Sequence, residues 1–276
     1  MIAFDFDYYA PQTATEAVAL FARLRQAGQT PQYYAGGSEI LSMARAGSNN
    51  PDALIDVKNI LELKGVQMRG QDLMLGACET LHALQESPAF PLMGQVAGRI
   101  ADHTNQCRIT LGGNLLGTIQ YKEVALPLLL TGAQVSLLGP EGPREAPFAA
   151  LFQGHLALQP GELLLRVAVP GWALKAPFVH VKRTAYGKIE YPLVTLAVLR
   201  DQEGLLRAAF SGLCAAPFRS RELERELNGK ASPATRAEKA LKHLPEAPMA
   251  SLGGSGAYRL FAAQAMLTRT LEEMDA

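Results

Sequence analysis

The sequence predicts an α+β fold in two domains, the second a small antiparallel sheet with helices. The chain has 276 residues, of which 48% are hydrophobic, enough to bury one large core or two moderate ones. Short apolar stretches with strand character alternate with amphipathic helical stretches up to residue 172. After residue 177 the pattern changes to strands of alternating polarity followed by helices. We therefore expect domains at residues 1–172 and 177–276.

The first domain is predicted to begin with alternating helices and strands. Thr13 and Glu16 form a capping box, which marks the start of a helix. An aromatic strand then runs directly into a pair of glycines. The predicted elements, in order, are a helix from Thr13 to Gly28, a strand at 32–34, a glycine turn at 35–38, a helix at 39–46 and strands at 54–57 and 72–76.

The rest of the chain is predicted by the same patterns. Helical periodicity returns after residue 80, and period-two strands appear in the second domain. The first domain continues with a helical region at 80–101, a second glycine turn at 110–114, a helix at 124–130 and strands at 134–137 and 163–169. The second domain has strands within 177–199 and 205–213 and helices at 219–227, 233–244 and 257–273.

Charge and cysteine content exclude several classes of protein. Lys plus Arg and Asp plus Glu each total 26, so the formal net charge is zero, which gives no general attraction for nucleic acid or anionic lipid. Apolar runs stay shorter than the ~18 residues of a membrane span. Only three cysteines occur, too few for the four thiolates of an iron–sulfur cluster and typical of a reducing compartment. We expect a cytoplasmic protein with no membrane span and no nucleic-acid partner.

The two glycine turns are candidate anion sites. A Gly-Gly pair permits positive φ and removes both β-carbons, so successive amides can converge on an anion at the start of a helix. Ser38 follows the first pair and Asn114 the second, and Thr110 precedes the second. The two turns could hold the two phosphates of one dinucleotide, although most Gly-Gly pairs are ordinary tight turns. Neither turn matches the Rossmann or P-loop spacing.

In order and spacing, these segments resemble the FAD-binding subunit of the molybdenum-containing hydroxylases, such as xanthine dehydrogenase and aerobic carbon monoxide dehydrogenase. That family carries an A-G-G-[ST]-[DE] loop, an LIDL strand, an L-x-I-G-A strand and a T-[IL]-G-G-N loop. The corresponding segments here are 35–39, 54–57, 73–77 and 110–114, and further markers lie at 178–183, 216–219 and 255–259. The resemblance runs from about residue 3 to the end of the chain.

This resemblance implies a two-lobed FAD-binding domain of the vanillyl-alcohol-oxidase type, followed by the family's C-terminal domain. It also implies that both glycine loops bind the FAD pyrophosphate through backbone amides. The residues that it assigns to the cofactor are Ala35, Gly36, Gly37, Ser38, Glu39, Thr110, Gly112, Gly113 and Asn114.

The segment after the second loop departs from the family pattern. Many members have A-S-P-x-x-D there, whereas residues 116–123 lack the Ser-Pro pair and place Glu123 where the Asp would be. The Tyr121, Lys122, Glu123 version resembles bacterial xanthine-dehydrogenase-like subunits. We expect these three residues near the flavin ring, with Lys182 approaching from the second domain; the alternative is that Lys122 and Glu123 form a solvated helix start. The family's Arg-Asn pair is also replaced, at residues 106–108.

The resemblance implies an electron-transfer subunit. Electrons would pass from a molybdopterin-binding subunit through [2Fe-2S] clusters on another subunit to FAD here, and on to an acceptor such as NAD+. This chain has no recognisable molybdopterin segment, so both partners would be needed. We predict no catalytic residue and no metal site, because the five histidines show no metal-ligand spacing. Two alternatives are a stand-alone flavin oxidoreductase of the same fold and a flavin-free binding or assembly homologue.

Overall fold

The structure is a computed structural model that describes residues 2–187 and 189–276. Within these residues the chain forms three β-sheets, one in each of two lobes of the first domain and one in the second domain. Helices pack between and around the sheets. The predicted α+β fold is confirmed.

The first lobe is built on a small parallel sheet. Its strands β1 (Asp7–Tyr9), β2 (Pro31–Tyr34) and β3 (Ala53–Asp56) are arranged in the order β1-β3-β2. Helix α1 (Ala14–Gln26) and helix α2 (Ser38–Arg45) connect them. Helix α1 begins as predicted, since the Thr13 hydroxyl accepts a hydrogen bond from the Glu16 amide at 3.2 Å.

The second lobe is a five-stranded antiparallel sheet in the order β4-β5-β8-β6-β7, covered by short helices. Its central helix is buried along its whole length, because every residue of that helix packs into the core. The strands are β4 (Val66–Arg69), β5 (Asp72–Gly76), β6 (Gln134–Gly139), β7 (Gly142–Pro147) and β8 (Leu163–Val169). The helices are α3 (Leu81–Glu86), α4 (Pro91–Ala97), α5 (His103–Gln106), α6 (Leu111–Leu116), the central α7 (Ala125–Thr131) and α8 (Phe148–Leu151).

The C-terminal region is an antiparallel sheet in the order β12-β11-β10-β9 with helices on one face. Its strands are β9 (Phe178–Thr184), β10 (Pro192–Arg200), β11 (Leu206–Ser211) and β12 (Phe218–Arg219). Its helices are α9 (Arg221–Leu227), α10 (Pro233–Ala240) and α11 (Gly256–Asp275). Three short 3₁₀ turns lie at Leu61–Leu63, Gly171–Ala173 and Leu241–His243.

Strand β10 belongs to two cores at once. Leu196 and Val198 pack with the helices of the C-terminal region, whereas Ala197 and Leu199 join the core of the second lobe. Alternate side chains of a strand point to opposite faces of the sheet, so β10 is buried on both faces. The two predicted domains therefore share apolar surface.

Four strands and two helices were not predicted, namely β1, β4, β7, β12, α5 and α8. Strand β7 begins at Gly142, with only two residues between it and the end of β6 at Gly139. The second glycine turn is not a turn, because Gly112 and Gly113 lie inside α6. No helix in the described part of the chain combines the length and apolar character that a membrane crossing requires.

Candidate functional site

The first glycine loop contacts the backbone directly before the second loop. A β-carbon built on Gly36 would stand only 1.8 Å from the carbonyl oxygen of Arg108, just before the second loop. A β-carbon on Gly112 would stand 3.0 Å from the carbonyl oxygen of Ala77. Glycine is needed at Gly36 because two backbones meet there, and any side chain would separate the loops.

The first loop is open at the start of a helix. Gly37 has a φ of +70° and is the N-cap of α2, which has no side-chain cap. A β-carbon on Gly37 would also meet the Tyr34 ring at 2.4 Å. The buried Ser38 hydroxyl has no hydrogen-bond partner among the residues that the structure describes. The first loop thus presents a helix N-terminus, where the dipole favours an anion, together with an unused hydroxyl.

The second loop is closed by its own hydrogen bonds. Thr110 is the N-cap of α6, and its hydroxyl accepts from the Gly113 amide at 3.1 Å. The amides of residues 111, 112 and 114 donate to the carbonyl oxygens of Glu79, Ala77 and Thr110 at 2.8 to 2.9 Å. These amides are bonded within the protein in this structure, and the predicted contact of this loop with the FAD pyrophosphate stays a prediction.

The second loop has an unpaired polar atom on a side chain. The Oδ1 atom of Asn114 is buried and has no hydrogen-bond partner within residues 2–187 and 189–276. Leaving such a group unpaired costs about 1–3 kcal/mol. Each loop therefore carries one buried polar side-chain atom, Ser38 Oγ or Asn114 Oδ1, that has no hydrogen-bond partner within the described residues.

Glu39 connects the first loop to the segment that follows the second. Its carboxylate accepts from the backbone amides of Thr118 at 2.6 Å and Ile119 at 3.4 Å. Glu39 was predicted to bind the cofactor, whereas here its carboxylate holds residues 117–119 against α2. The predicted contact of Glu39 with the cofactor stays a prediction.

Lys122 is a buried cation beside this segment. The residue is only 3% exposed and has a φ of +32°, and its ammonium donates to the Ile119 carbonyl oxygen at 2.8 Å. Burial lowers the pKa of Lys122, and the nearby Glu39 carboxylate opposes that shift. The alternative of a solvated helix start is wrong, since Lys122 and Glu123 are both buried.

Glu123 and Lys182 meet across the two domains. The Lys182 ammonium lies 2.8 Å from the Glu123 carboxylate, with side chains only 3% and 5% exposed, and it also donates to the Arg99 carbonyl oxygen at 2.8 Å. The Thr195 hydroxyl donates to the other Glu123 oxygen at 2.6 Å. Burial raises the pKa of Glu123, whereas Lys182 and Thr195 favour its ionised form. Glu123 and Lys182, which were both predicted to lie near the flavin ring, form an ion pair with each other in this structure.

Tyr121 lies at the edge of the same region. Its ring stacks on the ring of Tyr191 with centroids 4.8 Å apart, and its carbonyl oxygen accepts from the buried Ser211 hydroxyl at 2.5 Å. Tyr191 is 61% exposed, so the pair forms an aromatic surface open to solvent. The predicted contact of Tyr121 with a flavin ring stays a prediction.

Lys58 is a cationic group near the first loop that none of the sequence motifs indicated. Its ammonium lies 4.2 Å from the centre of the Tyr34 ring and 2.6 Å from the Asp56 carboxylate. Burial acts to raise the pKa of Asp56, but hydrogen bonds from Lys58 and Tyr8 outweigh it and hold the pKa below its usual value. The signal in the sequence was a lysine two residues after the acid that ends β3.

The arrangement fits the pyrophosphate of a dinucleotide. Two buried and unsatisfied side chains, Ser38 and Asn114, lie on loops that touch. The uncapped start of α2 adds positive potential beside Ser38. An anion would accept from the unpaired Ser38 hydroxyl, whereas the Asn114 Oδ1 atom can only accept and needs a donor group of the ligand.

The family is decided by comparison with known proteins. A family model described as the FAD binding domain in molybdopterin dehydrogenase matches residues 4–172. This chain belongs to that family, the FAD-binding medium subunits of the molybdenum hydroxylases. Its cofactor is therefore FAD, and it is a subunit of an oxidoreductase.

Relatives of this molybdenum hydroxylase subunit cover its whole length. The carbon monoxide dehydrogenase medium chain of Afipia carboxidovorans is 29% identical, over 100% of this chain and 99% of the relative. A putative xanthine dehydrogenase FAD-binding subunit of Escherichia coli is 26% identical, over 60% of this chain and 59% of the relative. The solved structure of carbon monoxide dehydrogenase from Hydrogenophaga pseudoflava, which lacks the Mo-pyranopterin moiety, matches with a TM-score of 0.88 and 26% identity, over 99% of this chain and 98% of that one. The two-domain FAD-binding fold is thereby confirmed.

Proposed function

We propose that this chain is the electron-transfer subunit of a multi-subunit molybdenum hydroxylase, carrying electrons from [2Fe-2S] clusters on one partner subunit, through FAD, to an acceptor such as NAD+. The observation that carries the proposal is the contact between two glycine loops that each present one buried, unpaired polar side chain. The chain has three cysteines, so clusters of the four-thiolate kind must lie on another subunit.

Each residue of the site has a defined task in this proposal. The Ser38 hydroxyl would donate to the pyrophosphate, and the Lys122 ammonium would offset its charge. Asn114 could donate to it only through Nδ2, while its Oδ1 atom would accept from a donor group of the cofactor. Glu39 keeps residues 117–119 in place and so fixes the wall beside the second loop. FAD, when bound, supplies the redox chemistry, since a flavin can accept single electrons and can transfer a hydride.

The partners and substrate follow from the same proposal. We infer a [2Fe-2S] subunit and a molybdopterin-binding subunit as partners, and a cytoplasmic location, which the free cysteines support. The Tyr121 to Glu123 segment resembles that of xanthine-dehydrogenase-like subunits, so a purine such as xanthine is the first substrate to test with the assembled complex.

FAD binding by the purified chain is the first test. We expect flavin absorption that survives desalting, and the FAD-free protein should gain about 2.7 kcal/mol of unfolding free energy at an FAD concentration 100 times the Kd. The matched variants are Gly36→Val, in which the loops cannot touch, and Gly187→Val, at an exposed glycine with no atom within 4 Å of its added β-carbon. Gly36→Val should lose FAD, and Gly187→Val should keep it. A wild-type chain that binds no added FAD would support the flavin-free alternative.

The electron-transfer role is tested by co-purification and turnover. We expect subunits that contain [2Fe-2S] clusters and molybdopterin to co-purify with the chain, and NAD+ reduction to require all of them. Turnover of an organic substrate by this chain and FAD alone would instead support the stand-alone oxidoreductase.

A further inference from the structure

Three metal-ligating side chains converge beside the second glycine loop. His103 is the first residue of α5, and Cys107 is the C-cap of the same helix. Residues four apart lie on one face of a helix, so their side chains point in the same direction. His82, from α3, packs against that face with its ring 4.8 Å from the His103 ring, centroid to centroid.

The distances among these ligand atoms suit an ion with tetrahedral coordination. The Cys107 Sγ lies 3.7 Å from the Nε2 atom of His103, and one ring nitrogen of each histidine and this sulfur all lie within 4.8 Å of one another. Zinc bonds of about 2.0–2.1 Å to nitrogen and 2.3 Å to sulfur give a nitrogen-to-sulfur separation of about 3.6 Å in a tetrahedron. Small side-chain movements would bring all three atoms to that distance.

His82 also has an unsatisfied ring nitrogen. The Nδ1 atom of His82 is buried and has no hydrogen-bond partner among the residues described. His103 and Cys107 are exposed, so an ion has a path from solvent. The neighbouring Asp102 carboxylate is already occupied, because it accepts from the backbone and side-chain amides of Asn105 at 2.9 and 2.8 Å, and it thereby caps α5.

We propose that His82, His103 and Cys107 form a transition-metal site that binds Zn²⁺ with three protein ligands and one open position. Two imidazoles and a thiolate suit this ion, whereas Mg²⁺ and Ca²⁺ require oxygen ligands. Binding converts the Cys107 thiol to a thiolate and releases its proton to solvent, while the histidines bind as neutral rings.

The site would stabilise the loop contact. Arg108 follows Cys107 directly, and its carbonyl oxygen packs against Gly36 of the first loop. An ion held by α3 and α5 would fix the backbone at the point where both glycine loops meet. We therefore expect zinc to raise the stability of the chain even when FAD is absent, which separates this site from the flavin site.

Metal binding is tested on the full-length, tag-free chain stripped with a chelator, with and without FAD. We expect isothermal titration calorimetry with Zn²⁺ to show one site, with affinity at least about tenfold weaker in His82→Ala, His103→Ala and Cys107→Ser. The matched controls are Cys78→Ser, at a half-buried cysteine that donates to the Val57 carbonyl oxygen, and His155→Ala, at an exposed histidine. Both should bind zinc like the wild type.

Cobalt gives a readout that does not depend on stability. Co²⁺ bound at this site should show thiolate-to-metal charge-transfer absorption, and Cys107→Ser should remove that band while circular dichroism confirms an unchanged fold. The proposal is overturned if the wild type binds no zinc, or if Cys107→Ser binds it as tightly as the wild type. It is also overturned if Cys107 is alkylated equally fast with and without zinc, because that result would show a thiol paired only with His103.

Discussion

The two glycine loops share a sequence pattern but differ in how their backbones are used. In the first loop, Gly37 has left-handed φ and the following helix has no cap, so its start faces the site. In the second loop, Thr110 caps the helix and the glycines lie inside it, with their amides already bonded. The first loop can therefore receive an anion with its backbone, whereas the second supports it and contributes the Asn114 side chain.

The difference shows that glycine can be required in a Gly-Gly pair for more than one physical reason. Gly36 is required by the close approach of another backbone, and Gly37 by its positive φ. Gly112 sits against Ala77, and Gly113 meets only the Thr110 hydroxyl. Substitutions at these positions should thus differ in kind and in size.

The largest effect is expected at Gly36. In Gly36→Val the β-carbon would overlap the Arg108 carbonyl oxygen, and because backbone cannot move aside as a side chain can, we expect a loss of at least ~3 kcal/mol of unfolding free energy. Urea denaturation measures this loss of unfolding free energy. Gly187→Val should stay within ~0.5 kcal/mol of the wild type; a Gly36 variant that is equally stable would show that the loops do not touch.

A smaller difference is expected between Gly37→Ala and Gly113→Ala. Alanine at Gly37 must adopt a left-handed φ and approach the Tyr34 ring, which should cost ~2 kcal/mol or more. Alanine at Gly113 lies in a helix, where it is favoured over glycine by up to ~1 kcal/mol. Its β-carbon would stand 2.9 Å from the Thr110 hydroxyl oxygen, and this close contact opposes the gain. We expect a net change below ~1 kcal/mol. Equal losses in the two variants would contradict the assigned backbone conformations.

The hydroxyl groups of the two loops should separate folding from binding. Thr110→Ala removes the cap of α6 and should cost ~1 kcal/mol in the FAD-free chain. Ser38→Ala removes a buried hydroxyl without a partner among the described residues, so the FAD-free chain should be at least as stable as the wild type while FAD affinity falls about tenfold. Fluorescence titration of FAD gives the affinity; a Ser38→Ala protein that binds FAD normally would remove Ser38 from the site.

The smallest effect is expected for Glu39→Gln. The amide keeps an oxygen that can accept from Thr118, but the charge that strengthens the bond is lost. We expect a loss of ~0.5–1 kcal/mol and faster hydrogen exchange at the Thr118 and Ile119 amides. Exchange that is unchanged at both amides would mean that Glu39 does not hold this segment.

Elements with strong periodicity were predictable, and the edges of the sheets were not. Helix α1 and strand β8 follow from local patterns. Strand β7 has two prolines and alternates half-buried with exposed residues, which is tolerated at a sheet edge but carries no strand signal. It forms because it pairs with β6.

The site was predictable as a set of residues but not as a set of contacts. Motif order identified both loops, yet the bonds that close the second loop come from Glu79 and Ala77, on a turn about 30 residues earlier. The pairing of Glu123 with Lys182 and the approach of His82 to Cys107 also need the tertiary fold. Sequence spacing does not carry such information.

The buried pair of Glu123 and Lys182 limits how this protein can be divided or recombined. Cutting the chain at the boundary near residues 172–177 would leave the Glu123 carboxylate buried without its cation and expose the apolar side chains that β10 shares with the second lobe. A chimera that joins this FAD-binding domain to the C-terminal domain of a relative must therefore carry a lysine at the position of Lys182. The two residues form a single structural unit, although 59 positions separate them.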